Sequence, residues 1–189
     1  MRKKIIYSAV FFLFTICVEG NCFSQEYFTK NGRISFFSKA TLENITADNN
    51  QAISLLNTQT GELRFHVLIN AFHFPKAMME QHFNTDYMES EKYPSSKFKG
   101  TIAEINKVDF SKDGSYKVNV NGSLEIHGAS KNITGVGAIS IKDGKLSATS
   151  VFKIILKDYN IDIPSIVINN ISQQIEIIVS CQYEKRMSN

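Results

Sequence analysis

The second half of the chain alternates with a strict period of two. From Tyr116 the apolar or glycine positions are Tyr116, Val118, Val120, Gly122, Leu124 and Ile126, separated by Lys117, Asn119, Asn121, Ser123 and Glu125. The pattern returns at Leu146, Ala148, Ser150, Phe152, Ile154 and Leu156, and again at Ile175, Ile177, Val179, Cys181 and Tyr183. Successive side chains of a strand point to opposite faces, so this spacing describes sheets with one dry and one wet face. Long strands of this kind joined by tight turns satisfy their edges best by closing around an apolar interior. The expected fold is all-β, an antiparallel barrel of about eight strands.

The first part of the chain follows another logic. Arg2, Lys3 and Lys4 precede a nearly continuous apolar run from Ile5 to Val18, and the residues to Ser24 turn small and polar. This is the layout of a secretory signal peptide, with a run shorter than the roughly 20 residues of a spanning helix. Cleavage is expected near Ser24–Gln25, leaving one domain over 25–189 that is periplasmic or secreted. The formal net charge of +3 falls to +1 once the leader (three basic residues and Glu19) is set aside, so nucleic acid has no electrostatic claim on the domain. Cys181 is the one cysteine expected in the mature chain, and it reads as a small apolar residue within the alternation.

Strands are expected near 32–41, 43–48, 50–58, 61–73, 97–109, 115–127, 129–141, 145–158 and 173–184. Thr60-Gly61, Asp113-Gly114, Gly128 and Asp143-Gly144 supply turn residues that tolerate positive φ. In the fourth segment Leu63, Phe65, Val67, Ile69 and Ala71 share a face, while Leu68 and Phe72 break the pattern. Pro75 to Glu89 departs from the β period. Pro75 suits a first helical turn, and Met79, Phe83 and Tyr87 form an apolar stripe at i, i+4 and i+8. An amphipathic helix here is placed to close or flank one barrel mouth.

Little supports catalysis. His66, His73, His82 and His127 form no metal-binding pattern, no nucleophile elbow or phosphate loop is present, and no cofactor is implied. Asp158 and Asp162 do not have the spacing of a cooperating pair. His127 reads as a turn residue, with a rim group orienting a ligand as the alternative. A cavity is better supported. Phe36, Phe65, Phe83, Tyr87, Phe98, Tyr116 and Phe152 fall in the apolar phase, as does Leu124, and Met79 joins them from the helix. Gly122, Gly135, Gly137, Ala148 and Ser150 are small inward residues that argue against a solid interior. A chain with ten buried methylenes gains roughly 8 kcal/mol, against association costs of at least about 4 kcal/mol.

Two segments resemble the YceI-like family of secreted lipid- or polyisoprenoid-binding proteins. One is Tyr93-Pro94 followed by Phe98, after the helix; the other is Leu124-Glu-Ile126-His127-Gly128, with Lys131 closing it. A shorter likeness lies at Asp158-Tyr159-Asn160-Ile161, where the family usually has glycine in place of Asn160. The resemblance implies a lipocalin-like antiparallel barrel whose lumen holds a long apolar ligand. Together with the apolar alternation and the small inward residues it leads to the expectation of a binding protein for an isoprenoid, an isoprenoid quinone or a fatty-acid derivative, with transient membrane contact. The alternatives are a filled extracytoplasmic module acting through a protein partner, and a lipid-modifying isomerase or hydrolase using Ser150 or Cys181.

Overall fold

The computed structural model describes residues 26–40 and 42–186; the leader-like segment and the expected cleavage position lie outside them. Eight antiparallel strands close into a barrel in simple chain order. They are β1 (Glu26–Lys39), β2 (Asn44–Asn57), β3 (Glu62–Leu68), β4 (Ser95–Ile102), β5 (Gly114–Ile126), β6 (Ala129–Lys142), β7 (Lys145–Ile155) and β8 (Gln174–Lys185). β8 returns to pair with β1, placing Ile34 opposite Val179 and Phe36 opposite Ile177. Closure leaves no free sheet edge, and alternate residues of every strand face the lumen.

The segments expected at 43–48 and 50–58 are one strand, β2, with a change of phase inside it. Ile34 pairs with Asn49 but Gly32 pairs with Ala52, so β2 carries one extra residue there. Such a bulge flips which parity faces inward: Ala47 and Asn49 are buried before it, Ala52, Ser54 and Leu56 after it. Asn49 secures the bulge, donating to the Leu68 carbonyl at 2.8 Å and accepting from the Gln51 amide at 2.8 Å.

Three other strands end earlier than the alternation suggests. β3 stops at Leu68, and a 3-10 turn over Ile69–Ala71 rotates the chain so that Phe72 is buried and Leu68 is not. β4 stops at Ile102; beyond it Ile105 and Val108 fold back as buried residues of a loop rather than extending the strand. β7 gives way to a 3-10 turn at Leu156–Tyr159, closed by Asn160 at φ 56°. Asparagine is among the few side-chain-bearing residues that adopt this left-handed conformation readily, so Asn160 can close the turn without a glycine.

The hairpin turns follow their residues. His127-Gly128 and Asp143-Gly144 have positive φ at both positions, the mirror-type turn whose twist matches the flanking strands. Asp113-Gly114 is not such a turn: neither residue has positive φ, and Asp113 instead accepts a hydrogen bond from the Asp143 amide at 3.0 Å.

The expected helix is shorter and of two kinds. α1 spans Ala77–His82 and runs into a π-helical turn over Phe83–Tyr87. The connection before it is anchored by paired backbone bonds between His73 and Asp48.

Candidate functional site

The barrel is solid at one end and hollow at the other. At the solid end Leu56, Leu63, Ile102, Val118, Ile139 and Ile141 interlock, and Ile105 and Val108 from the loop after β4 plug the opening. Above them lies an apolar cavity of about 610 Å³. Its walls include Phe36 of β1, Phe65 of β3, Phe98 of β4, Leu124 of β5 and Phe152 of β7. Met79, Phe83 and Tyr87 reach it from the helix and π turn. Tyr116 does not. It packs in the solid end, its hydroxyl donating to the Asp109 carbonyl at 3.4 Å. Its phase is inward, but its depth along β5 puts it below the floor.

The π turn explains how both sides of a short helix serve the site. Met88 N–H bonds to the Phe83 carbonyl, five residues back, at 2.9 Å. This widened turn rotates side chains more slowly than an α-helix, so His82 and Asp86 face the cavity together with Phe83 and Tyr87. Four phenylalanines hold the segment to the barrel: Phe83 lies 5.6 Å from Phe36 and from Phe72, and 5.0 Å from Phe74, between ring centroids. Phe74 belongs to the connection before α1. Its role escapes the alternation because it follows the end of β3.

The opposite side of the mouth is also irregular. Ile161, Ile163, Pro164, Ile166, Val167 and Ile171 contribute to the lining from the segment between β7 and β8. The only sequence signal there is a density of aliphatic residues without a strand or helix period.

The small inward residues divide. A side chain on Gly135 would meet nothing within 4 Å, and Gly135 and Ser150 border the cavity. Gly122 serves a different end: a Cβ there would come within 2.6 Å of the Phe98 ring. A Cβ on Gly137 would stand 2.8 Å from the Thr149 carbonyl oxygen, so that glycine allows close backbone approach, and Ala148 packs in the solid end.

The serines of the lining are already engaged. Ser150 donates to the Val136 carbonyl at 2.8 Å, Ser96 to the Glu125 carbonyl at 2.6 Å, and Ser38 accepts from the Ser172 amide at 2.9 Å. Cys181 lies in the solid end, away from the cavity lining, and burial pushes its thiol up to about 11. Neither residue is thus set up as a nucleophile on a bound lipid. Among the described residues no group of His, Cys, Asp or Glu could hold a metal ion. Glu43, Asp86 and Lys97 border the cavity with His82, and each has a partner: Glu43 pairs with Lys76, Asp86 with the His82 ring, and Lys97 with Glu125. Hydrogen bonds from Thr85 and then His82 hold the Asp86 carboxyl below its ordinary range.

His127 is not part of the lining. Its ring packs edge-on against Tyr93 at 4.4 Å, and its Nδ1 lies 3.3 Å from the Tyr159 carbonyl oxygen. A Cβ on Gly128 would approach the same Tyr93 ring at 2.7 Å. The Tyr-Pro and His-Gly segments therefore meet as one tertiary contact, which joins the end of the helical segment to the β5–β6 turn.

Residues 25–183 match the YceI-like domain family. The chain belongs to the YceI-like family. Among solved structures it is similar to a polyisoprenoid-binding domain from Saccharophagus degradans implicated in plant cell wall breakdown, with a TM-score of 0.74, 14% identity, and coverage of 86% of this chain and 99% of that one. It is also similar to BcnA of Burkholderia cenocepacia, with a TM-score of 0.66, 17% identity, and coverage of 81% and 96%. The YCEI protein of Campylobacter jejuni follows, with a TM-score of 0.61, 19% identity, and coverage of 78% and 90%. At these identities the likeness is one of fold. No curated protein sequence matches the chain significantly.

Proposed function

We propose that this YceI-like protein is an extracytoplasmic binding protein that sequesters or carries a long apolar ligand, an isoprenoid, isoprenoid quinone or fatty-acid derivative, in the hollow half of its barrel. The observation that carries this reading is the cavity of about 610 Å³, walled by aliphatic and aromatic side chains, whose serines are bonded to backbone. An apolar tail gains by leaving water, and most of the wall it meets is apolar. The Saccharophagus degradans domain, described as polyisoprenoid-binding, supports the same ligand class.

Export is supported by the leader-like segment and by a family match that begins at residue 25. Transient membrane contact is supported by apolar residues beside the mouth: Ile166 borders the cavity yet is 89% exposed, and Leu42, 70% exposed, is bonded through its backbone to Asn169. A filled module acting only through a protein partner is disfavoured by the cavity itself.

Native mass spectrometry of the purified protein, before and after delipidation and exposure to a lipid extract, tests the reading. Bound long-chain lipid is the expected result. A protein that emerges empty and takes up no lipid would overturn it.

A further inference from the structure

Phe98 marks the boundary between the hollow and the solid ends. It packs against both buried groups, the one below the cavity and the one beside it. Gly100 and Gly122 face each other across β4 and β5. A Cβ on either would lie 2.5 or 2.6 Å from the tip of the Phe98 ring. Two neighbouring strands without side chains make a notch, and the ring fills it. Phe65 meets the ring edge-on at 6.4 Å between centroids. Leu63 and Val120 are the deepest wall residues on this side, and beneath them the barrel is filled by Ile102 and Val118.

The space above the ring sets a length. A methylene group takes roughly the volume of a water molecule in the liquid, about 30 Å³. The cavity of 610 Å³ therefore accepts about 20 carbons. Along this depth the lining serines are bonded to backbone, while the ionisable side chains Glu43, His82, Asp86 and Lys97 border the cavity from the helical segment and from the strand ends.

We propose that Phe98 is a chain-length ruler. Resting on the reading of the cavity as a lipid site, the ligand is a single hydrocarbon tail, buried for about 20 carbons, with its polar end at the charged rim. The ring stops the tail, and any longer chain leaves its surplus outside.

The test is a ladder of prenyl alcohols, from geraniol through farnesol, geranylgeraniol and geranylfarnesol to solanesol, competed against one another on the delipidated protein by native mass spectrometry. A parallel ladder of saturated alcohols separates isoprenoid from fatty-chain preference. Each buried methylene raises affinity by roughly fourfold, so an isoprene unit should raise it by at least about tenfold up to geranylgeraniol, followed by a plateau. Phe98→Ala should extend the climb to geranylfarnesol by about tenfold, and Phe98→Leu by less.

Binding of neither ladder would defeat the lipid site itself. Affinity that keeps climbing from geranylgeraniol to solanesol in the unaltered protein would defeat the ruler while leaving the lipid site standing. An unchanged plateau in a folded Phe98→Leu or Phe98→Ala protein would remove Phe98 from the role. If Phe98→Ala does not fold, the unaltered ladder and Phe98→Leu decide the matter.

Discussion

The two ends of the barrel use the same alternation and reach opposite results. At the end holding Leu56, Ile139 and Ile141, inward side chains meet one another and a loop supplies Ile105 and Val108 to fill the opening. At the other end Phe36, Phe72, Phe74 and Phe83 pack against each other along one wall, and the centre stays free beside Gly135 and Ser150. Aromatic residues can fill a barrel or merely panel it. Here the difference lies in whether their neighbours along the wall bind them sideways.

Large-to-small changes break the comparison most directly. Leu56, 1% exposed in the solid end, should lose about 3 kcal/mol of stability as Leu56→Ala. The check is chemical denaturation. Gly135→Leu should do the reverse in the hollow end. Its side chain enters open space, so stability should stay within about 1 kcal/mol while lipid uptake falls by at least tenfold, on the order of several lost methylene contacts. A large loss of stability on Gly135→Leu, or unimpaired uptake, would show that the two ends are not different in kind.

The solid end also carries an alkaline weakness. The Cys181 thiol has an ordinary value of 9.0 and is held up to about 11, chiefly by burial. Burial likewise raises the Tyr183 phenol, whose hydroxyl lies 2.7 Å from Ser54 Oγ. The unfolded chain gives up these protons first. Their contribution is therefore complete below pH 9 and is lost as pH rises toward 11, by up to about 3 kcal/mol for the thiol. Denaturation followed from neutral to alkaline pH should show this decline, and Cys181→Ala should flatten part of it.

The smallest effect concerns a turn. Asn160→Ala should cost about 1 kcal/mol because Asn160 sits at positive φ, and Asn160→Gly should restore or retain stability. Thermal melts of both variants decide it. Equal stability of the alanine and glycine forms would show that the Leu156–Tyr159 turn relaxes without the left-handed residue.

Much of the barrel was legible because a strand's period is a direct consequence of its geometry. Val118, Leu124, Ile139 and Ile154 face inward as their spacing requires. The bulge in β2 was not, since an extra residue breaks parity and looks like two strands. The turn after β3 likewise hid Phe72, and the segment from Ile161 to Ile171 has no period to read. Within the site, parity placed Phe36, Phe65, Phe98 and Phe152 toward the interior but treated Tyr116 the same way. It also credited Gly122 with open space that the Phe98 ring occupies. The Tyr93–His127 contact shows that Tyr93 and His127 of the two most recognisable motifs hold the fold together beside the mouth, while Phe98, Leu124 and Ile126 of the same motifs line the cavity.

By itself, the order of residues determined which side of each ribbon turns away from water, because that depends only on neighbours along one chain. Tertiary structure decided where the interior is full and where it is empty. That outcome depends on which side chains from distant strands arrive at the same depth, and on whether a ring settles into a glycine notch or stands in the open. Close packing is a property of the assembled set, so no single strand contains it.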